Sequence, residues 1–433
     1  MTMVDEETVD EDTAAEHIHG ICLKTGPPPR RVGVELEWLV RDARNPGLPV
    51  PAKRIAAAVT EFTAVPGLPT SSQPGTLPSG ATLTTEPGGQ LEISSQPADS
   101  LADLVNATLA DLTALRTAAA AAGLGLAGFG LDPVRPPRRI LTLPRYAAME
   151  AFFDRGGPWG RRMMCGTASV QVCVDAGDES DGAAGYCRRW RLVHAIGPVL
   201  VAAFANSPKR VGRPTGWQSS RQQVWSQMDA SRTRAPRMDT DPREAWTRYA
   251  LDAQVMCVRQ EGSGDWSAPS GLTFRDWVRG ATDAGRLRRP TVGDLDYHLS
   301  TLFPPVRPHG HLELRMIDAQ PRDGWIVPLA VTSALLEDAR ASDAAMAAAE
   351  RLWAGHGPGD SEPWLRAARL GPADPAMARA SRECFGAARA ALSGPSAPAG
   401  IQSAVDAFIE RYVSRDRCPA DDQLSPAEPQ EAR

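Results

Sequence analysis

Four short segments alternate bulky apolar residues with acidic, amide or basic ones. In an extended chain, successive side chains point to opposite faces. In Val32-Gly33-Val34-Glu35-Leu36-Glu37, this puts Glu35 and Glu37 on one face, with Val34, Leu36 and Trp38 on the other. In Gln90-Leu91-Glu92-Ile93, Gln90 and Glu92 oppose Leu91 and Ile93. Gln171, Cys173 and Asp175 oppose Val170, Val172 and Val174, and His311, Glu313 and Arg315 oppose Leu312, Leu314 and Met316. Carboxylates close together on one face repel unless a cation or a guanidinium lies between them. One such strand alone reads as a wet outer face. Four with the same logic suggest a sheet whose polar face binds a metal–nucleotide. Mg²⁺ and Mn²⁺ favour carboxylate, water and phosphate oxygens, and arginine suits phosphate. Four solvated strand faces are the alternative.

Positioning such faces needs turns and backing helices. Gly88 and Gly89 allow a tight turn in Thr85-Glu86-Pro87-Gly88-Gly89, just before a strand at 90–95. The pattern predicts further strands at 31–40, 124–130, 168–175 and 310–317. Helices are expected at 51–62, 186–205, 243–258 and 325–340. One long helix is capped by Asp99 or Ser100, carries Leu101, Leu104, Val105, Leu112 and Leu115 at helical spacing, and stops at Gly123. Residues 341–415 are Ala-rich and read as helical. Strands and helices do not alternate as βαβ units, so the fold class is α+β with a mostly antiparallel sheet. Arg221, Arg232 and Arg234 follow the Asn206-Ser207-Pro208 loop and are either anion binders or ordinary surface arginines. Gly123–Gly128 spells G-x-G-x-x-G, but a helix precedes it and Pro133, Pro136 and Pro137 follow, which excludes a dinucleotide fingerprint. His309-Gly310-His311 lacks a third ligand nearby in sequence.

Composition bounds the class. The chain has 433 residues, 47 basic and 52 acidic, for a net charge of −5. That balance leaves no basic footprint for nucleic acid. Only Lys24, Lys53 and Lys209 are lysines, so anion binding must rest on arginine or backbone amides. The seven cysteines show no metal-ligand spacing and read as reduced, buried thiols of a cytoplasmic protein. No segment suits a signal peptide or a membrane span. The organisation expected is a disordered acidic tail at 1–20, a single catalytic domain at 21–415 and a disordered tail at 416–433.

Taken in order, several motifs resemble the glutamate–cysteine ligase family. The likeness is to the branch shared by plant-type enzymes and the actinobacterial ligase of the ergothioneine pathway. The motifs are Gly33–Glu37, Glu86–Ser94, Thr167–Val172, Phe204–Pro208, Gly271–Arg275, His298–Pro304 and Glu313–Arg315. The resemblance implies a glutamine-synthetase-like funnel, an antiparallel sheet backed by helices. It implies metal ligation at Glu35, Glu37, Glu92 and Glu313. Gln171 stands where a more distant branch has a histidine ligand, and supplies only a neutral oxygen. The implied reaction joins the γ-carboxylate of L-glutamate to the amine of L-cysteine through a γ-glutamyl phosphate, with ATP as co-substrate and Mg²⁺ or Mn²⁺ as cofactor. Arg315 would hold transferring phosphoryl oxygens, Arg221 and Arg232 phosphate or substrate carboxylate, and Glu86 would accept the amine proton. No protein partner is called for. A ligase of the same superfamily with another amine, or a non-catalytic relative that keeps the binding site, are the rival readings.

Overall fold

The computed structural model describes residues 8–26, 31–63, 74–260, 264–281, 287–357, 359–394 and 399–425. The alternation in the sequence becomes a sheet with two unlike faces. Its strands are β1 (Val32–Asp42), β2 (Gly75–Thr76), β3 (Thr82–Thr85), β4 (Leu91–Ser94), β5 (Leu124–Ala127) and β6 (Ser169–Val174). A separate two-stranded ribbon, β7 (Lys209–Arg210) and β8 (Arg213–Pro214), precedes the last two sheet strands, β9 (Val306–Pro308) and β10 (Leu312–Asp318). The order across the sheet is β2-β3-β4-β1-β6-β10-β9, with β5 paired to the far end of β1. Every pairing is antiparallel.

Register decides the chemistry of each face. Glu37 lies opposite Glu92, and Glu35 lies between Ser94 and Gln171. Glu313 lies between Cys173 and Arg307. The acidic and basic side chains of four strands, and Gln171 of a fifth, therefore share one face. On the other, Val34, Leu36, Ile93, Val172 and Leu314 are buried. Helices Leu101–Ala121, Gly197–Ala203 and Ile326–Glu337 pack against that side. Burying each such side chain stabilises the fold by roughly 1.5–3 kcal/mol, so the apolar face fixes which way the glutamates point.

A bulge interrupts β10. Leu314 pairs with Val172 but Ile317 pairs with Val170, so Arg315 and Met316 together face Gln171. The extra residue shifts the alternation by one place. Asp318, opposite Ser169, consequently returns to the polar face.

Most expected elements are present, with changed boundaries. Ser100, not Asp99, caps the helix Leu101–Ala121. The stretch 186–205 is two helices, Tyr186–Ala195 and Gly197–Ala203, the second opened by Pro198. The expected acidic tail needs correction. Glu11–Cys22 is a helix with a capping box between Asp10 and Thr13, and it buries Ala14, Ile18 and Cys22. Glu11 pairs with Arg275 and Arg279. Three buried residues at four-residue spacing suffice to dock it; its surface charge conceals this in composition. Residues 1–7 lie outside the described residues. The second tail is corrected likewise: Pro419–Leu424 is helical, Cys418 and Ala420 are buried, and Gln423 donates to Asn206 at 2.6 and 3.0 Å. Residues 426–433 are not described. Among the described residues, no helix is long and apolar enough to cross a membrane.

Candidate active site

The polar face floors a cavity of about 340 Å³. Four glutamates, Glu35, Glu37, Glu86 and Glu92, face it together with four arginines, Arg145, Arg221, Arg307 and Arg315. β1 supplies the first two glutamates and β4 supplies Glu92, held by a 2.8 Å bond from Thr84 Oγ1. Glu86 comes from the β3–β4 turn, closed by Glu86 N–H to Gln90 O and Gly89 N–H to Glu86 O, both 2.8 Å. Gly89 has a φ of 89°, and a Cβ on Gly88 would lie 2.4–2.7 Å from the Cys165 backbone. Both glycines are required where they stand. Gln90 is buried, and its amide donates to Thr167 O at 2.8 Å.

The middle of the floor is one hydrogen-bonded chain. Gln171 Nε2 donates to Glu37 Oε1 at 3.1 Å, and Gln171 Oε1 accepts from Arg315 Nη1 at 2.5 Å. Arg315 also binds Glu313. Arg307 grips Glu313 with two bonds of 2.7 and 3.0 Å. Gln171 thus bridges a carboxylate and a guanidinium. Glu313 does not line the cavity: it is buried beneath it, with both oxygens taken by arginine. Of the four expected ligands, three face the space and one anchors arginines.

The charges do not balance comfortably. Burial, with repulsion from Glu313 and Glu92, pushes Glu35 well above the usual carboxylate range. Burial and Glu92 push Glu37 up to about 7, against the pull of Arg221 and Arg315. Burial, Glu92 and Glu37 push Glu86 well above its ordinary value. Glu313 goes the other way: burial would raise it, but Arg307 and Arg315 hold it at about 2. Crowded, desolvated oxygens of this kind are what a hard divalent cation would neutralise, so the donor set fits Mg²⁺ or Mn²⁺. Among the described residues, no three acidic, imidazole or thiolate groups already converge at ligating distance.

Arg221 is buried in the cavity wall, with Nη2 donating to Arg315 O at 2.8 Å. Its Nε and Nη1 find no hydrogen-bond acceptor, although Asp318 Oδ1 stands 4.0 Å from Nη1. Asp318 is fixed by Asn206 N–H, Ser207 Oγ and Ser219 Oγ at 2.7–2.9 Å. A guanidinium with idle donors in a polar cavity suits an anionic ligand. Arg232 is different, and the expected substrate role needs correction. It lies outside the cavity lining, fully buried, donating to Asp229, Thr301 and Gln254 and resting 4.5 Å from the centre of the Phe152 ring. Its donors are spent on joining loops. Arg234 is exposed.

Arg145 and Arg307 were not legible as site residues. Arg145 sits in the first turn of the helix Pro144–Asp154, donates to Ser300 Oγ at 3.1 Å and lies over Tyr297. Arg307 sits on a three-residue strand, too short to show alternation. Asp318 left one signal: the adjacent apolar pair Met316-Ile317 breaks the alternation where the bulge occurs.

Residues 31–431 match the sequence model of glutamate–cysteine ligase family 2. The chain belongs to this family. It is 38% identical over 424 residues to glutamate–cysteine ligase EgtA of Mycobacterium tuberculosis (strain H37Rv), covering 96% of this chain and 90% of that protein. It is 32% identical over 244 residues to the chloroplastic glutamate–cysteine ligase of Medicago truncatula, covering 55% of this chain and 47% of that one. The fold resembles the crystal structure of a glutamate–cysteine ligase from Francisella tularensis in complex with AMP, with a TM-score of 0.52 at 10% identity over 94% of this chain and 86% of that one. The family match spans every strand of the cavity floor.

Proposed function

We propose that this protein is an ATP-dependent glutamate–cysteine ligase. It joins the γ-carboxylate of L-glutamate to the amine of L-cysteine, giving γ-glutamylcysteine for ergothioneine biosynthesis. Family membership and the actinobacterial relatives support the reaction. The observation that carries the site is the cavity, where four glutamates and four arginines meet over one sheet face.

Amide formation from a carboxylate is uphill in water, so the acid must be activated. A γ-carboxylate oxygen of glutamate attacks the terminal phosphorus of ATP, and ADP leaves. The deprotonated amine of cysteine then attacks the acyl carbon, and inorganic phosphate leaves with the C–O bonding pair. Both steps gather negative charge on oxygens, so positioning and electrostatics supply most of the catalysis. Arg315 and Arg307, held by Glu313, present guanidinium groups to those oxygens. Arg221 offers its free donors to a phosphate or a substrate carboxylate. Glu86, raised by burial and by its neighbours, is a stronger base than an ordinary glutamate and takes the ammonium proton. Glu35, Glu37 and Glu92 would hold Mg²⁺ or Mn²⁺, and Glu313 would join them only by giving up an arginine bond. When bound, the cation neutralises phosphate and carboxylate charge. Reduced cytoplasm suits the seven unpaired cysteines.

Mass spectrometry of the products from glutamate, ATP, magnesium and mixed amino acids tests the reaction. γ-Glutamylcysteine with stoichiometric ADP is expected. Another γ-glutamyl amide in its place would reassign the acceptor, and no ATP binding by calorimetry with magnesium would leave a non-catalytic relative. Glu37→Gln is expected to keep the fold and lose at least about 100-fold in turnover.

A further inference from the structure

Asp318, at the end of β10, is 1% exposed and bonded at both oxygens. Oδ2 accepts Asn206 N–H at 2.9 Å and Ser207 Oγ at 2.7 Å, and Oδ1 accepts Ser219 Oγ at 2.9 Å. The two hydroxyls pass this hold on. Ser207 Oγ accepts the backbone N–H of Arg221 at 3.1 Å, and Ser219 Oγ accepts that of Gln222 at 3.2 Å. A hydroxyl that donates to a carboxylate is oriented and polarised as an acceptor. The carboxylate therefore fixes the main chain of Arg221, while its Oδ1 stands 4.0 Å from the Arg221 guanidinium. The side chains of Arg221 and Gln222 complete the attachment, donating to Arg315 O and Met316 O in the β10 bulge, both at 2.8 Å. Asp318 has no room to shift, because a Cβ on Gly130 would lie 2.3–2.7 Å from its side chain.

The segments that hold Asp318 are themselves held from outside. Residues 205–207 and 218–220 are joined by Ser207 N–H to Gln218 O at 3.1 Å and Ser220 N–H to Ser207 O at 2.9 Å. The helix Pro419–Leu424 bonds to both segments. Ala420 N–H donates to Ala205 O at 2.9 Å, and Gln423 Nε2 donates to Asn206 O at 3.0 Å and Asn206 Oδ1 at 2.6 Å. Asp421 Oδ1 accepts Gln218 Nε2 at 3.1 Å. Cys418 and Ala420 pack on Ala205 in a small buried cluster of their own. A helix of six residues has little stability alone. Its bonds instead go to the two segments that carry Asn206, Ser207 and Ser219.

We propose that Asp318 and Gln423 are positioning residues for Arg221. The C-terminal helix clamps the two segments, the segments hold the Asp318 carboxylate, and the carboxylate sets the place of Arg221 in the cavity wall. The proposal rests on the reading of Arg221 as a binder of an anionic substrate group. Loosening the clamp lets Arg221 drift and weakens binding of that group, while the glutamates of the sheet stay where they are.

Steady-state kinetics of the full chain, with ATP, glutamate and cysteine varied in turn, test this. Gln423→Met keeps the length of the side chain and removes its donor. It is expected to raise, about threefold, the same KM that Arg221→Met raises, and Asp318→Asn to raise it about tenfold, with kcat within about twofold in both. In the Arg221→Met background neither change is expected to add more than about 1.5-fold. A merely structural role would lower the active fraction, and so kcat, without moving KM. Leu424→Ala, at an exposed position of the same helix, is expected to change neither. A fall in kcat alone, or effects that multiply with Arg221→Met, overturns the proposal, and Gln423→Met decides it if Asp318→Asn fails to fold. A KM raised by Arg221→Met but not by the other two overturns the proposal and leaves the reading of Arg221 standing. No KM change in Arg221→Met removes both.

Discussion

Arg221 and Arg232 are both buried arginines from one stretch of sequence, yet the structure gives them opposite tasks. Arg221 keeps idle donors in the cavity, while Arg232 spends its donors on Thr301, Gln254 and Asp229. The two roles separate experimentally. Arg232→Met leaves buried carbonyls unpaired, so it is expected to cost about 3 kcal/mol of stability in urea denaturation, at near-normal KM values for the folded fraction. Arg221→Met removes two idle donors and one bond, to Arg315 O. It is expected to raise the KM for glutamate or ATP about tenfold or more, with a loss of stability of about 1 kcal/mol, smaller than that of Arg232→Met. If Arg232→Met instead changed KM at unchanged stability, the structural reading of Arg232 would fail. Arg307, facing the cavity, and Glu313, beneath it, act as a unit. Arg307→Ala and Glu313→Gln are therefore expected to lower kcat alike, and the double variant to lose little more than either single one.

At the scale of elements, the strands were legible because their polar and apolar faces differ so sharply. Glu35, Glu37, Glu92 and Arg315 follow from two-residue periodicity and their registers. What the sequence hid lies where periodicity has no purchase. β9 is too short, the β10 bulge alters phase within a strand, and Arg145 sits on a helix after a proline-rich loop. The N-terminal helix was hidden because a charged surface outweighs three docking residues in any composition count. The β3–β4 turn is the case where sequence and structure agree most closely, and it can be tested. Gly88→Ala sets a Cβ within 2.4–2.7 Å of the Cys165 backbone, and backbone cannot rotate aside as a side chain can. The turn must shift, carrying Glu86 with it. The expected result is a loss of about 1–3 kcal/mol together with a fall in kcat. Gly125→Ala, at a strand glycine with open space around its Cβ position, should change stability by less than about 0.5 kcal/mol.

Across the whole molecule, two sets of buried groups respond to pH in opposite directions. Glu37, at about 7 in the fold, is stabilising in its protonated form. Its contribution is present below the ordinary carboxylate value and lost as pH rises through 7. His298 behaves in the reverse sense. It is buried, stacked on Phe274 at 4.9 Å, and bonded through Nε2 to Ala250 O at 2.8 Å, while Nδ1 has no partner. Burial, then the nearby Arg232, lower it to about 3, against the pull of the Ala250 bond. Its folded value lies below its unfolded one, so its contribution is full above about pH 6.5 and is lost as pH falls towards 3, because only the unfolded chain takes up the proton. At pH 5 the unfolded side chain is about 1.5 units below its midpoint, which amounts to about 2 kcal/mol. Urea denaturation at pH 7.5 and 5.0 isolates this through His298→Phe, which keeps an aromatic ring on Phe274. The carboxylates titrate alike in both proteins and cancel in the difference. The drop in stability between the two pH values is expected to be about 2 kcal/mol smaller in the variant than in the wild type. An equal drop would mean that His298 takes up its proton within the fold, and that the helical layer between residues 250 and 298 admits water.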